Sequence, residues 1–192
     1  MSPMLRTARG LETVVSRFGR LGAWAVLALV AVTLFDVITR RFLVLGSTRL
    51  QELEWHLHTV LMMALVAWGL LRNTHVRVDL FRDRLPTRGR AWMELAGTLM
   101  FLLPYAALVL WFAIAFVRSS FEMGENSASM TGIPHRWIIK STLALAFALV
   151  LMAGVARTLR LLSFLGGRAS VAELPAGVRS VDPAETGTRE GA

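Results

Sequence analysis

The sequence predicts an all-α integral membrane protein, a bundle of four transmembrane helices with both termini on the cytoplasmic side. Three observations carry that expectation. Of 192 residues, 55% are hydrophobic and the mean hydropathy is +0.54, more than water-soluble domains ordinarily carry. The apolar residues gather in four stretches, each near the ~20 residues a helix needs to cross the hydrocarbon core. The basic residues fall in short runs between those stretches and are shared unequally between the two sides.

In residues 1–18, Leu11, Val14, Val15 and Phe18 recur at helical spacing, with Arg9, Thr13 and Arg17 on other faces. An amphipathic helix lying in the membrane interface is expected there. Arg17 and Arg20 before an apolar run resemble a signal peptide. That run ends in Asp36 and Arg40-Arg41 with no small-residue cleavage site, so an uncleaved first span is expected over 19–41. Further spans are expected over 50–71, 91–117 and 136–162, completing a membrane domain of 19–165. The last two are long enough to tilt. Pro104 falls mid-span in the third and removes one helical hydrogen bond, so a kink is expected there. From Gly166-Gly167 onward the chain is polar and Gly/Pro-bearing without a periodic apolar face, and 166–192 is expected to be a disordered tail.

Orientation follows from the basic residues beside the spans. Arg6, Arg9, Arg17 and Arg20, then Arg72, Arg77, Arg82, Arg84, Arg88 and Arg90, then Arg157, Arg160, Arg168, Arg179 and Arg189 share one side. Arg40, Arg41, Arg49, Arg118, Arg136 and Lys140 take the other. The richer side belongs in the cytoplasm. The same distribution accounts for the net charge of +8 without nucleic acid, because no single basic face forms.

The chain has no cysteine, hence no disulfide, thiolate site or cysteine nucleophile. It also lacks a Gly-rich phosphate loop, a G-x-S-x-G elbow, an H-E-x-x-H pair and an acidic metal cluster at a membrane face. Neither catalysis nor a cofactor or metal is expected.

Ionisable residues near a membrane are costly and usually serve a purpose. Asp36 and Arg40 are four apart on the first span, as are Glu52 with His56 and Glu54 with His58 on the second. Each pair can meet within its helix. A proton or ion pathway is one reading. Interfacial ion pairs that fix the register of the first two spans are the plainer one, since no carboxylate falls at mid-membrane. A four-helix b-type haem electron carrier needs axial histidines on facing helices. His75 lies a membrane thickness from His56, His58 and His135, which leaves only a single outer haem between His56 and His135. A free-standing small transporter would be expected to show internal repeats and broken helices, and beyond Pro104 nothing of the kind appears.

The segment 72–86 is too charged to insert and reads as inner-interface chain, with arginines toward anionic headgroups at about 1 kcal/mol each. The loop 122–137 reads as a turn, with Glu125 either a plain solvated loop carboxylate, the simpler reading, or a cap or partner contact. Trp24, Trp55, Trp92 and Trp137 near span ends are candidate depth anchors, and Ala144, Ala148 and Gly154 are candidates for close helix approach.

Several runs together resemble the small (Q-type) membrane subunit of tripartite ATP-independent periplasmic, or TRAP, transporters. They are LQELEWHLH at 50–58, LR at 71–72, HVRVD at 75–79, LP at 85–86, Gly97 with Phe101 to Pro104, Glu125 with Ser127, and GIPHRWIIK at 132–140. The resemblance covers roughly 19–160. It implies a scaffold for a large elevator-type membrane subunit in sodium-driven uptake of an organic acid that a periplasmic binding protein delivers. By resemblance Glu52, Glu54, Trp55, Arg72, His75, Asp79 and Lys140 occupy motif positions. With Asp36, Arg40, His56, Glu125, Pro134, Arg136 and Trp137 they are expected to serve folding, headgroup anchoring or subunit contact, without touching substrate.

Overall fold

The computed structural model describes residues 3–43, 46–74, 85–175 and 177–178. Its regular elements are all helical: α1 (Pro3–Ala23), α2 (Ala25–Phe42), α3 (Thr48–Arg72), α4 (Thr87–Gly97), a π-helical turn (Thr98–Leu102), α5 (Leu103–Glu122), α6 (Trp137–Leu165) and a short 3-10 turn (Val171–Glu173). Four stretches are long and apolar enough to cross a membrane: Pro3–Phe42, Thr48–Arg72, Thr87–Glu122 and Trp137–Leu165. Each overlaps one of the four expected apolar stretches.

The N-terminal helix departs from expectation. It continues past residue 18 to Ala23, and only Trp24 separates it from α2. Its buried residues Leu5, Ala8, Val15, Gly19 and Gly22 form one stripe, which packs against α3 and α6 of the same chain. Glycine makes that approach possible. A Cβ at Gly19 would lie 2.5 Å from the Trp68 side chain, and one at Gly22 would overlap Ala64 Cβ. Of the expected apolar face, Val15 is buried by these two helices while Val14 and Phe18 stay exposed.

The helices stand in an open row, α2 beside α3, α3 beside α6 and α6 beside α5. Among the described residues, α2 meets neither α5 nor α6. α1 fills the groove between α3 and α6 near the end that carries both termini, where Ser163 reaches the Met4 sulfur and Arg160 reaches Glu12. Val15, Ala67, Ala106, Leu149, Val150 and Ala153 form the core where α1, α3, α5 and α6 converge. Small side chains dominate it, because without a hydrophobic drive in lipid, helices associate through close packing. Gly154 is such a contact, with Leu103 Cδ2 2.8 Å from where its Cβ would be. Ala144 and Ala148 are only half-buried, and Ala146, Ala153 and Ala156 take the buried places.

Proline at 104 has its effect one turn earlier. Pro104 has no N–H to donate and crowds the carbonyl four residues back. The helix widens over Thr98–Leu102, and the Leu103 N–H donates to the Thr98 carbonyl, a bond spanning five residues. A π-turn of this kind relieves the crowding while the helix continues.

Of the tail expected to be disordered, residues 166–175 and 177–178 follow a defined course, and the rest lies outside the described residues. The described part turns through Gly167 (φ 71°), and Leu174 and Val178 bury against Ala91, Leu95 and Leu161. The apolar residues of the tail are too few for a periodic pattern but enough for one small cluster.

Candidate functional site

Polar side chains concentrate at both ends of the row. At the loop end, α3 and α6 start side by side, and Glu52 joins them. Its carboxylate accepts from the Ser127 hydroxyl, from the Ile133 N–H at 2.6 Å, and lies 3.7 Å from Arg136. The side chain is about a tenth exposed, so these partners replace most of its water. Gly132 makes room for this closure. A Cβ there would overlap the Ser127 side chain and fall 2.7 Å from Glu52 Oε2. Arg49 adds a bond to the Thr131 carbonyl at 3.1 Å.

A second set holds the start of α6. Lys140 forms an ion pair with Glu125, and its ammonium sits 3.9 Å above the Phe116 ring. The Glu125 carbonyl accepts from the Arg136 N–H at 3.0 Å. Trp137 packs edge-on against Phe121, ring centres 5.5 Å apart. Pro134 precedes His135, which adopts a left-handed φ of 60° while its N–H donates to Asn126 Oδ1 at 3.2 Å. The bond from Lys140 holds the Glu125 carboxyl below the usual carboxylate range.

Asp36, buried on α2, pairs with Arg40 as the spacing predicted. With its amide turned to match donors to acceptors, Gln51 of α3 accepts from both Arg40 Nη atoms at 2.8 and 2.9 Å. Glu52 and His56 do meet, but through the backbone: His56 Nδ1 lies 2.5 Å from the Glu52 carbonyl. Glu54 and His58 form no hydrogen bond among the described residues, and Glu54 Oε1 is buried without a partner. Trp55 is exposed. Arg72 lies over the Trp68 ring at 5.4 Å, in the last turn of a helix closed by Asn73 at φ 57°. His75 and Asp79 lie outside the described residues.

The polar layer at the termini end was not expected. Arg157, 6% exposed, donates to Glu94 at 2.6 Å. Arg160 grips both Glu12 carboxylate oxygens at 2.5 and 2.6 Å, and bonds the Glu173 carbonyl at 2.9 Å. Two arginines three apart within an apolar helix signalled a need for carboxylates. Their partners, 63 and 148 residues away, could not be read from spacing. Among the described residues, no three His, Asp or Glu side chains are grouped to hold a metal.

The links in both layers fasten neighbouring helices and the loop between α5 and α6 to one another. Residues 29–164 match the family of tripartite ATP-independent periplasmic transporters, DctQ component. The chain belongs to this family. No curated protein and no solved structure matches it. As a DctQ component it is a multi-pass membrane protein and one part of a tripartite transporter. The matched segment holds Glu52, Ser127, Gly132, Glu94 and Arg157. It leaves out α1 and the chain after α6, so Arg160 lies within it while Glu12 and Glu173 lie outside.

Proposed function

We propose that this DctQ component is the small, non-catalytic subunit that extends the stationary scaffold of a large elevator-type membrane subunit. The machine takes up an organic acid delivered by a periplasmic binding protein and is driven by a sodium gradient. The chain sits in the bacterial inner membrane with both termini cytoplasmic, the side favoured by its arginines. The observation that carries the reading is the open row: α5 packs on α6 alone among the long helices and leaves Tyr105, Leu108, Trp111 and Phe112 exposed. Such a row offers broad apolar faces to another membrane protein. The fastened ends support it too, because a stator must keep its register while its partner moves.

In this reading Asp36, Arg40, Glu52, His56, Glu125, Arg136 and Lys140 maintain the row. Glu54, Trp55, Arg72, His75, Asp79, Pro134 and Trp137 serve anchoring or contact with the large subunit. The test is purification of the chain, tagged at its C-terminus, from mildly solubilised native membranes. Stoichiometric recovery of a much larger polytopic protein is expected. Recovery of the chain alone overturns the reading, and a Soret band from the purified material redirects it to an electron carrier.

A further inference from the structure

A cavity of about 290 Å³ opens between α1, α3 and α6. Phe18 and Leu21, Val60 and Ala64, and Ala146 and Leu149 wall it from the three helices. Leu21 is 69% exposed, so one side faces the surroundings of the protein. The only hydroxyl in the lining, that of Thr142, already donates to the Ile139 carbonyl at 2.7 Å. Water needs two to four polar partners to stay in such a space and finds only the lone pairs of that one hydroxyl. Hydrocarbon fits.

The level of the cavity identifies its source. The apolar run of the first span begins at Leu21, and Gly19 lies against Trp68, one turn from the end of α3 at Arg72. The cavity therefore opens beside Phe18 and Leu21 and runs through the middle of the bundle toward the loop end, where Thr142 lines it a little over one turn into α6. Arg17, one turn before Leu21, is exposed and has no side-chain partner among the described residues. Arg20 uses only Nε, on the Ser16 carbonyl. We propose that this cavity is a phospholipid site, taking an acyl chain between α1, α3 and α6 while Arg17 and Arg20 hold an anionic headgroup. A side chain from a partner helix would also fill apolar space, but it leaves the two arginines at the mouth without a purpose.

The experiment is native mass spectrometry of the full chain after exchange into detergent containing phosphatidylglycerol or phosphatidylcholine. One phosphatidylglycerol per chain is expected to persist, with phosphatidylcholine held more weakly. Removal of both arginine charges in R17Q/R20Q is expected to weaken retention of phosphatidylglycerol by at least about five-fold. A146F, which fills the cavity, is expected to abolish retention; L145W fills it from an exposed position should A146F fail to fold. Retention unchanged in a folded filling variant overturns the proposal. So do the absence of retained lipid from the parent chain and equal retention of the two lipids.

Discussion

The Ser127 hydroxyl donates to the Glu52 carboxylate across 75 residues of sequence, and that bond ties the loop before α6 to the first turn of α3. The Ile133 N–H completes the clamp from the other end of the same loop. The two helices thus start from a common point, and three predictions concern the fastenings of this row.

Replacing Gly132 with alanine forces a methyl group into the Ser127 side chain beside Glu52. The loop must lift, and Glu52 loses partners that replaced its water. A loss of about 1–3 kcal/mol is expected, read as a lower thermal midpoint of the purified chain.

Two glycines of α1 give opposite expectations. Gly22 faces Ala64 without room for a Cβ, whereas nothing lies within 4 Å of a Cβ at Gly10. Gly22→Val is expected to destabilise by about 1–3 kcal/mol through overpacking. Gly10→Ala is expected to stabilise by up to about 1 kcal/mol through helix propensity. Thermal unfolding of the two variants side by side checks both signs.

Glu12→Gln keeps the shape of the contact with Arg160 and removes its charge. A loss of about 1–2 kcal/mol is expected, reduced from a fully buried pair because both side chains are partly exposed. The readout is faster proteolysis of the N-terminal segment and of the chain around Glu173, since Arg160 holds both.

The Glu125 carboxyl is held below its ordinary value of 4.5, first by its bond from Lys140. A depressed folded-state value means the contribution is complete above the unfolded value and disappears as pH falls through the folded one. The thermal midpoint should therefore drop as pH falls below about 4.5, and Glu125→Gln should flatten that part of the profile. A profile identical in the two proteins removes Glu125 from the acid response.

If the loop after α5 helps seat the binding protein, charge reversal at Glu122 and Glu125 should lower uptake. Glu122 pairs with Arg118 outside the clamp, so Glu122→Lys separates docking from folding. Uptake equal to that of the parent would confine this loop to a structural role.

Most of the architecture was legible because it is written in composition. Runs long enough to cross a bilayer leave few alternatives to helix, and four helices long and apolar enough to cross one are what the described residues form. Asp36 with Arg40 was legible because both partners lie on one helix, where spacing alone brings them together. Glu52 was legible as a place but not as a clamp. Its spacing pointed to His56, whose ring takes the backbone carbonyl, while the carboxylate reaches a loop that no periodicity connects to it. The same limit hid Glu12 and Glu94, whose partners are set by which helices become neighbours. The helix of α1 was legible from its period, but of Leu11, Val14, Val15 and Phe18 only Val15 is buried, because the close approach is made by Gly19 and Gly22, which carry no apolar signal.

The single-layer arrangement of α2, α3, α6 and α5 has a mechanical consequence. Clamps at opposite ends resist shear, so the helices do not slide lengthwise past one another. Against flexing about lines parallel to the helices, α1 braces the α3/α6 seam, and among the described residues no further helix covers the α2/α3 and α6/α5 seams. Such a sheet of rods is stiff along its length and at its centre, and its two outer helices are free to bow about the middle pair without breaking a fastening at the α3/α6 seam.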